Sequence, residues 1–384
     1  MLLSKGFEVE MYTGPPAGEV VGFSDKIVAT LEGFVREPDA RNVEYTTAPF
    51  CRYEHLLCEL LKPRVRLRDY LKTLGNYTII PGSTLPLGGA QEFHRSDPQN
   101  PYHTYIENTY GTNVVTASIH INIGMSDPEQ LMRACRLIRL EAPLYLALTA
   151  SSPFFDGNIT GFHSTRWQLF PQTPEHVPLF ESHLHHIRWV ENQLEAGSMQ
   201  SVRHLWSSVR PNGDRRPYNL NRLELRICDL VSDPLHLLAV TAFLEARLQQ
   251  LLATPELEPL EKSTLSASTR SEDLLAIALD NEKAAAKSSL DAQMRHWETG
   301  KVIIARDWIQ QLYAEIHPFA KQSGIGCFLN PIQQILRNGN QAQQWLQQAE
   351  KTSPTEVMQG AIAQMQTQES LLAEDICPPA VAYV

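Results

Sequence analysis

Glu8 and Glu10 stand two positions apart inside GFEVEMYTG, residues 6–14, a stretch with the composition of a buried strand. On a strand, side chains at i and i+2 share a face, so the two carboxylates lie side by side while Phe7, Val9 and Met11 point the other way. Like charges held that close repel unless a cation sits between them or one takes up a proton. Three more strand-like segments carry polar pairs at the same spacing: Glu44/Thr46, His120/Asn122 and Glu224/Arg226. If these strands share one sheet, their polar sides converge on a surface rich in carboxylates, with an imidazole and an arginine. Such an oxygen-rich cage suits Mg²⁺ or Mn²⁺ better than a structural zinc. An arginine beside a metal-binding glutamate also suits a phosphoryl group: the metal neutralises some oxygens and the guanidinium fork grips others. Spacing alone leaves two plainer readings open, the wet face of an antiparallel sheet and a simple Glu224–Arg226 salt bridge.

The elements that must position these residues follow from periodicity. Strands are expected over 3–12, 42–49, from 77 into a Gly/Pro-rich turn ending at 89, over 113–125 and over 220–230. Helices are expected over 23–35, with Ser24 or Asp25 as N-cap, and over 51–75, kinked or split at Pro63. Another is expected over 127–151, with Asp127 as N-cap and Pro128 at the first helical position, and a loop over 152–175. A helix runs through 183–195, where His183, His185 and His186 read as a solvated face. From about 233 almost everything reads as helix: 234–252, 271–297, 300–315, 329–349 and 354–373. Strands therefore concentrate before 230 and helices after it, an α+β arrangement rather than a βαβ array. Neither GxGxxG nor GxxxxGK[ST] occurs, so a Rossmann site and a P-loop are excluded.

The 384 residues carry a formal charge of −10 and a pI near 5.7, which leaves no basic stripe for nucleic acid. The six cysteines, Cys51, Cys58, Cys135, Cys228, Cys327 and Cys377, show no CxxC or zinc spacing and read as scattered, reduced thiols. The longest apolar stretch, APLYLALTA over 142–150, is far short of the roughly 20 residues a membrane span needs. Charges come too early for a signal peptide. A soluble, cytoplasmic protein is expected, with oligomeric state left open.

GFEVEMYTG, NVEYTTAP, PGSTLPLGG, ASIHINIGM, LTASSPFFDGNITGFHSTR, RLELRICDL and LDNEKAAAKSSLDA occur in this order. In that order and spacing the chain resembles the carboxylate–amine ligases of the glutamate–cysteine ligase type 2 group, most of all the cyanobacterial type. The likeness runs from about residue 6 to 292. It implies a glutamine-synthetase-like fold: a curved, mainly antiparallel sheet with surrounding helices, a catalytic domain over 1–298 and a helical extension over 299–384 packed on it. It implies Mg²⁺ (or Mn²⁺) held by Glu8, Glu10, Glu44, His120 and Glu224, catalytic roles for Arg226 and Arg166, and nucleotide contacts for Asn122 and Lys283. Most bacterial relatives read HxHxG where this chain has His120–Ile121–Asn122–Ile123–Gly124, and an amide is a poorer metal ligand than an imidazole.

The implied substrates are ATP, L-glutamate and L-cysteine, joined as γ-glutamylcysteine, the first step of glutathione biosynthesis. A carboxylate resists amine attack, so ligases of this kind first phosphorylate it. Arg226 would then stabilise the migrating phosphoryl charge, and Arg166 would hold a substrate carboxylate or, more plainly, staple its loop to backbone carbonyls. Three other readings compete: a sister ligase with another amine acceptor, a metal-dependent hydrolase, and a catalytically silent binding protein. Clustered HD or HxxxH metal motifs are absent, which counts against the hydrolase.

Overall fold

The computed structural model describes residues 2–376; Cys377 lies outside the described residues. Strands β1 (Lys5–Gly14), β2 (Phe34–Arg36), β3 (Asn42–Thr46), β4 (Thr78–Ile80), β5 (Ile119–Gly124), β6 (Phe154–Phe155), β7 (Asn158–Ile159), β8 (Val209–Asn212), β9 (Arg222–Leu225), β10 (Gln293–Arg295) and β11 (Val302–Ile304) alternate with helices. These are α1 (Ser24–Thr30), α2 (Tyr53–Leu74), α3 (Pro101–Tyr110), α4 (Pro128–Thr149), α5 (Thr165–Leu169), α6 (His183–Glu195), α7 (Pro234–Ala253), α8 (Pro259–Lys262), α9 (Arg270–Ser288), α10 (Ala305–Gln322), α11 (Asn330–Asn338), α12 (Gln341–Ala349) and α13 (Pro354–Ile376). The main sheet runs β2-β3-β1-β5-β9-β8, with β4 also on β1, and its ladders are antiparallel. The fold is α+β, as expected.

Alternation decides the two faces of this sheet. Phe7, Val9 and Met11 of β1 and Ile119, Ile121 and Ile123 of β5 are all 1% exposed or less, so the apolar face is fully covered. Helix α4 packs against β8 and β9 and also touches α7 and α9. It is buried along most of its length, and its buried charges Arg136, Arg139 and Glu141 are paired with Glu258, Glu282 and Arg247, as buried charges must be. Asp127 caps it by accepting from the Gln130 backbone N–H at 2.8 Å. At the far end α13 lies on α2, where Glu369 receives both Arg64 (3.1 Å) and Arg68 (2.8 Å) in buried ion pairs.

Several expected boundaries move. The helix expected over 23–35 stops at Thr30, because Gly33 takes a positive φ of 88° and Phe34–Arg36 pairs with β3. Neither Ser24 nor Asp25 caps it; the N-cap is Phe23, without a side-chain bond. Pro63 does not split α2, which continues from Tyr53 to Leu74. Leu56, Leu57, Leu60, Leu61, Leu67 and Leu71 are buried on both sides of the proline, and that packing outweighs one lost backbone bond. Residues 111–114 form a 3₁₀ turn rather than the start of a strand. The stretches 271–297 and 300–315 each surrender a piece to the β10–β11 hairpin. Gly339, at φ 85°, divides 329–349 into α11 and α12.

Cys51, Cys135, Cys228 and Cys327 are free thiols, whereas Cys58 is disulfide-bonded, which corrects the expectation of uniformly reduced cysteines. Among the described residues no helix is long and apolar enough to cross a membrane.

Candidate functional site

Register places the polar pairs together. Glu8 faces His120 across β1–β5, Glu10 faces Glu44 across β1–β3, and Asn122 faces Glu224 across β5–β9. Thr46 faces Glu8 across β1–β3, and with Arg226 just past the end of β9 all eight residues singled out from spacing lie on the sheet face opposite the apolar core. They fall into two groups. Oxygen or nitrogen atoms of Glu8, His120 and Glu224 lie within 4.8 Å of one another, and so do carboxylate oxygens of Glu10, Glu37 and Glu44.

The first group is densely compensated. Glu224 accepts from Arg210 Nε at 2.7 Å and Nη2 at 3.0 Å, from Asn212 Nδ2 at 2.6 Å and from Arg226 Nη1 at 2.6 Å. Burial works against its charge, but Arg210, Arg226 and His120 outweigh that and hold its carboxyl well below the usual range. His120 Nδ1 lies 2.8 Å from Glu8 Oε2, and its Nε2 lies 3.1 Å from Ser118 Oγ. Ser118 has a single hydroxyl proton and donates it to Glu10 Oε2 at 2.8 Å. Both ring nitrogens of His120 are thus engaged by neighbouring side chains. To ligate a metal through Nδ1, the ring would have to exchange its contact with Glu8 for the ion. Burial and Glu224 disfavour ionised Glu8, yet the His120 bond and charge, with Arg226, bring its pKa below the ordinary value.

The second group is left uncompensated. Among the described residues no ion pair reaches Glu10, Glu37 or Glu44; their side chains receive only the Ser118 hydroxyl, at Glu10. Burial and mutual repulsion push Glu37 and Glu44 well above the usual carboxylate range. Three carboxylates without a cation, offering only oxygen, fit a hard divalent ion such as Mg²⁺ or Mn²⁺.

Both groups border cavities. A cavity of about 560 Å³ is lined by Glu10, Glu37, Glu44, His120 and Arg226, with Tyr102, Phe170 and Trp206 as its aromatic walls. A second, of about 550 Å³, includes Asn122, Arg222, Thr46 and Thr47. Glu8 lines both. Its Oε2 meets His120 on one side and its Oε1 accepts from Asn122 Nδ2 at 3.2 Å on the other. The Asn122 amide oxygen in turn accepts from Arg222 Nε at 3.2 Å.

Two expected residues lie differently. Arg166 is 2% exposed; it lines the aromatic-walled cavity and also donates to the backbone carbonyls of Ile227 and Arg226, each at 3.0 Å. That is the stapling arrangement, and it holds the backbone that carries Arg226. Lys283 sits on the exposed side of α9 and lines neither cavity. The histidine cluster also differs from expectation: His186 is buried, with its ring 4.7 Å from that of Phe180. Burial lowers its pKa to about 3.

Three residues escaped sequence reading. Glu37 follows a strand mistaken for the end of a helix. Arg210 and Asn212 lie on β8, a four-residue strand containing Pro211, a residue that argues against strand when read alone. The i, i+2 spacing of Arg210 and Asn212 was the signal available.

Comparison with known proteins gives a consistent picture. The family model described as glutamate–cysteine ligase family 2 matches residues 4–369, which extends the likeness well beyond residue 292. A protein of Rubrobacter xylanophilus, provisionally named glutamate–cysteine ligase 2-1, is 28% identical over 71% of this chain and 71% of its own. One from Gloeobacter violaceus, provisionally named glutamate–cysteine ligase 2, is 29% identical over 58% of this chain and 57% of its own. In fold, the chain is similar to the glutamate–cysteine ligase of Francisella tularensis solved in complex with AMP, with a TM-score of 0.77 at 13% identity, covering 96% of this chain and 89% of that one. A bifunctional glutathione synthetase from Pasteurella multocida gives a TM-score of 0.73 at 14% identity, covering 97% of this chain and 53% of that one. With a family match spanning nearly the whole sequence, the chain belongs to glutamate–cysteine ligase family 2.

Proposed function

We propose that the protein joins the γ-carboxyl of L-glutamate to the amino group of L-cysteine at the expense of ATP, through γ-glutamyl phosphate, releasing γ-glutamylcysteine, ADP and phosphate. The observation that carries this reading is the pairing, on one sheet face, of an uncompensated three-carboxylate group with an arginine-bound glutamate group. Family membership supplies the reaction class. The cytoplasm, where ATP is made available, is the compartment that suits it.

When bound, Mg²⁺ (or Mn²⁺) would neutralise phosphate oxygens and hold the phosphoryl group in line. Glu10, Glu37 and Glu44 would hold one such ion, and Glu8, His120 and Glu224 are placed to hold another. Arg226 offers a guanidinium to the phosphoryl charge that develops during transfer. Arg166 holds the backbone carbonyls of Arg226 and Ile227 and so helps to set where that guanidinium points. We read the cavity beside Asn122 and Arg222 as the nucleotide compartment and the aromatic-walled cavity as the amino-acid compartment, joined at Glu8. We also read 1–298 as the catalytic unit and 299–384 as a helical brace.

A second reading shares this machinery with another amine acceptor. The walls formed by Tyr102, Phe170 and Trp206 favour a larger apolar side chain than that of cysteine. One assay separates them: protein, Mg²⁺, ATP and glutamate, with ADP release followed for a panel of amines and products identified by mass spectrometry. ADP release requiring glutamate and cysteine, with γ-glutamylcysteine formed, supports the first reading. Preference for another amine selects the second, and no ADP release with any amine removes both.

A further inference from the structure

We infer that His103 of α3 is the general base that deprotonates the acceptor amine, an assignment that rests on the ligase reading above. Amino-acid amines are ammonium ions near neutral pH, and an ammonium has no lone pair with which to attack. The aromatic-walled cavity must therefore offer a proton acceptor that is not already committed.

The hydrogen bonds single out His103. Ser96 Oγ donates to the backbone carbonyl of Glu37, and a carbonyl can only accept. A hydroxyl has one proton, so the 3.3 Å contact between Ser96 Oγ and His103 Nδ1 must be donated by the ring. Neutral His103 thus carries its proton on Nδ1 and a lone pair on Nε2. His103 lines the cavity that contains Glu10, Glu37 and Glu44, and no hydrogen bond among the described residues reaches its Nε2. His120, the other imidazole lining the cavity, has both ring nitrogens engaged by Ser118 and Glu8, and the proposed function reserves Glu10, Glu37 and Glu44 for the metal ion.

Other charges near His103 are consistent with this role. Burial lowers its affinity for a proton; Asp97 opposes that, while Arg95 and Arg36 reinforce it. The neutral ring is thereby favoured. In the reaction, His103 Nε2 takes one proton from the ammonium. The freed lone pair attacks the γ-carbonyl carbon, and the carbon–oxygen bond to phosphate breaks with its electron pair going to the phosphate. The second amine proton leaves the tetrahedral adduct to water, and the imidazolium returns its proton to solvent.

The test compares two acceptors in the full chain. Hydroxylamine is unprotonated at neutral pH, so it needs no base. His103→Gln is expected to lower kcat with cysteine about a hundredfold, the scale of general-base catalysis. The acid limb of its pH–rate profile should disappear, while γ-glutamyl hydroxamate forms at the wild-type rate. An equal loss with both acceptors would mark His103 as structural, and no loss with cysteine would make it a bystander; either overturns the assignment. If the wild-type protein releases no ADP with glutamate and any amine, the ligase reading itself has failed, and this assignment with it.

Discussion

The two carboxylate groups on the sheet have similar composition and opposite electrostatics. Glu224 sits among Arg210, Arg226, Asn212 and His120, so its negative charge is welcome. Among the described residues Glu10, Glu37 and Glu44 face one another without an ion pair; Ser118 donates to Glu10 and the Arg226 guanidinium acts on them only from across the cavity. The first group is a finished ion-pair network that folding itself completes. The second stays strained until a cation or a proton arrives. A site that folding leaves unsatisfied is where a metal-dependent enzyme would spend its binding energy, and the contrast yields four measurable consequences.

The largest effect should come from Glu10→Gln. It removes a carboxylate from the uncompensated group without emptying the core, so turnover should drop by about a thousandfold or more, as when a transition-state charge loses its stabiliser. Near-wild-type thermal unfolding should accompany that loss. Substantial residual ADP release would show that this group does not hold the catalytic cation. Next, Arg210→Met breaks the compensated group and leaves Glu224 short of a buried partner. Its cost should be about 3–5 kcal/mol, read from urea unfolding without metal. A neutral result would mean that Arg226 and Asn212 suffice.

The third effect has the opposite sign. Glu37→Gln relieves repulsion, so metal-free protein should melt about 2 °C higher, and saturating Mg²⁺ should erase the advantage by stabilising only the wild type. A variant that melts lower in EDTA would contradict the strain. The smallest effect is on pH. Glu224 has a depressed folded-state pKa, so its contribution is present above the ordinary carboxylate pKa and is lost as pH falls through the folded value. Glu37 and Glu44 have raised pKa values, so the folded protein holds their protons more tightly than the unfolded chain does. Their contribution is greatest at low pH and declines as pH climbs from the ordinary carboxylate pKa through the raised one. Accordingly, Mn²⁺ affinity, measured calorimetrically, should weaken as pH is lowered through that window. A pH-independent affinity would place the ion elsewhere.

Much of this site was legible in one dimension because strand geometry is a local rule. Glu8 with Glu10, and His120 with Asn122, had to share a face whatever the rest of the chain did. The capped start of α4 at Asp127–Pro128 was equally local. Glu37 was hidden because its segment continues a helical pattern until Gly33 reverses the chain. Arg210 was hidden because β8 is four residues long and contains a proline. Arg166 was found, but its partners, the carbonyls of Arg226 and Ile227, lie 60 and 61 positions away, so spacing could not choose between substrate and staple.

Sequence alone therefore determined which residues carry charge on the wet side of each strand, and through family likeness the kind of reaction they serve. Tertiary structure decided which charges neutralise one another. Pairing depends on the register of strands far apart in the chain, and a shift of one residue would turn every side chain to the other face. Only that register adds Arg210 to the local Glu224–Arg226 pair and brings Glu10 against Glu44. It also turned Glu8 from one of two neighbouring acids into the wall between two cavities.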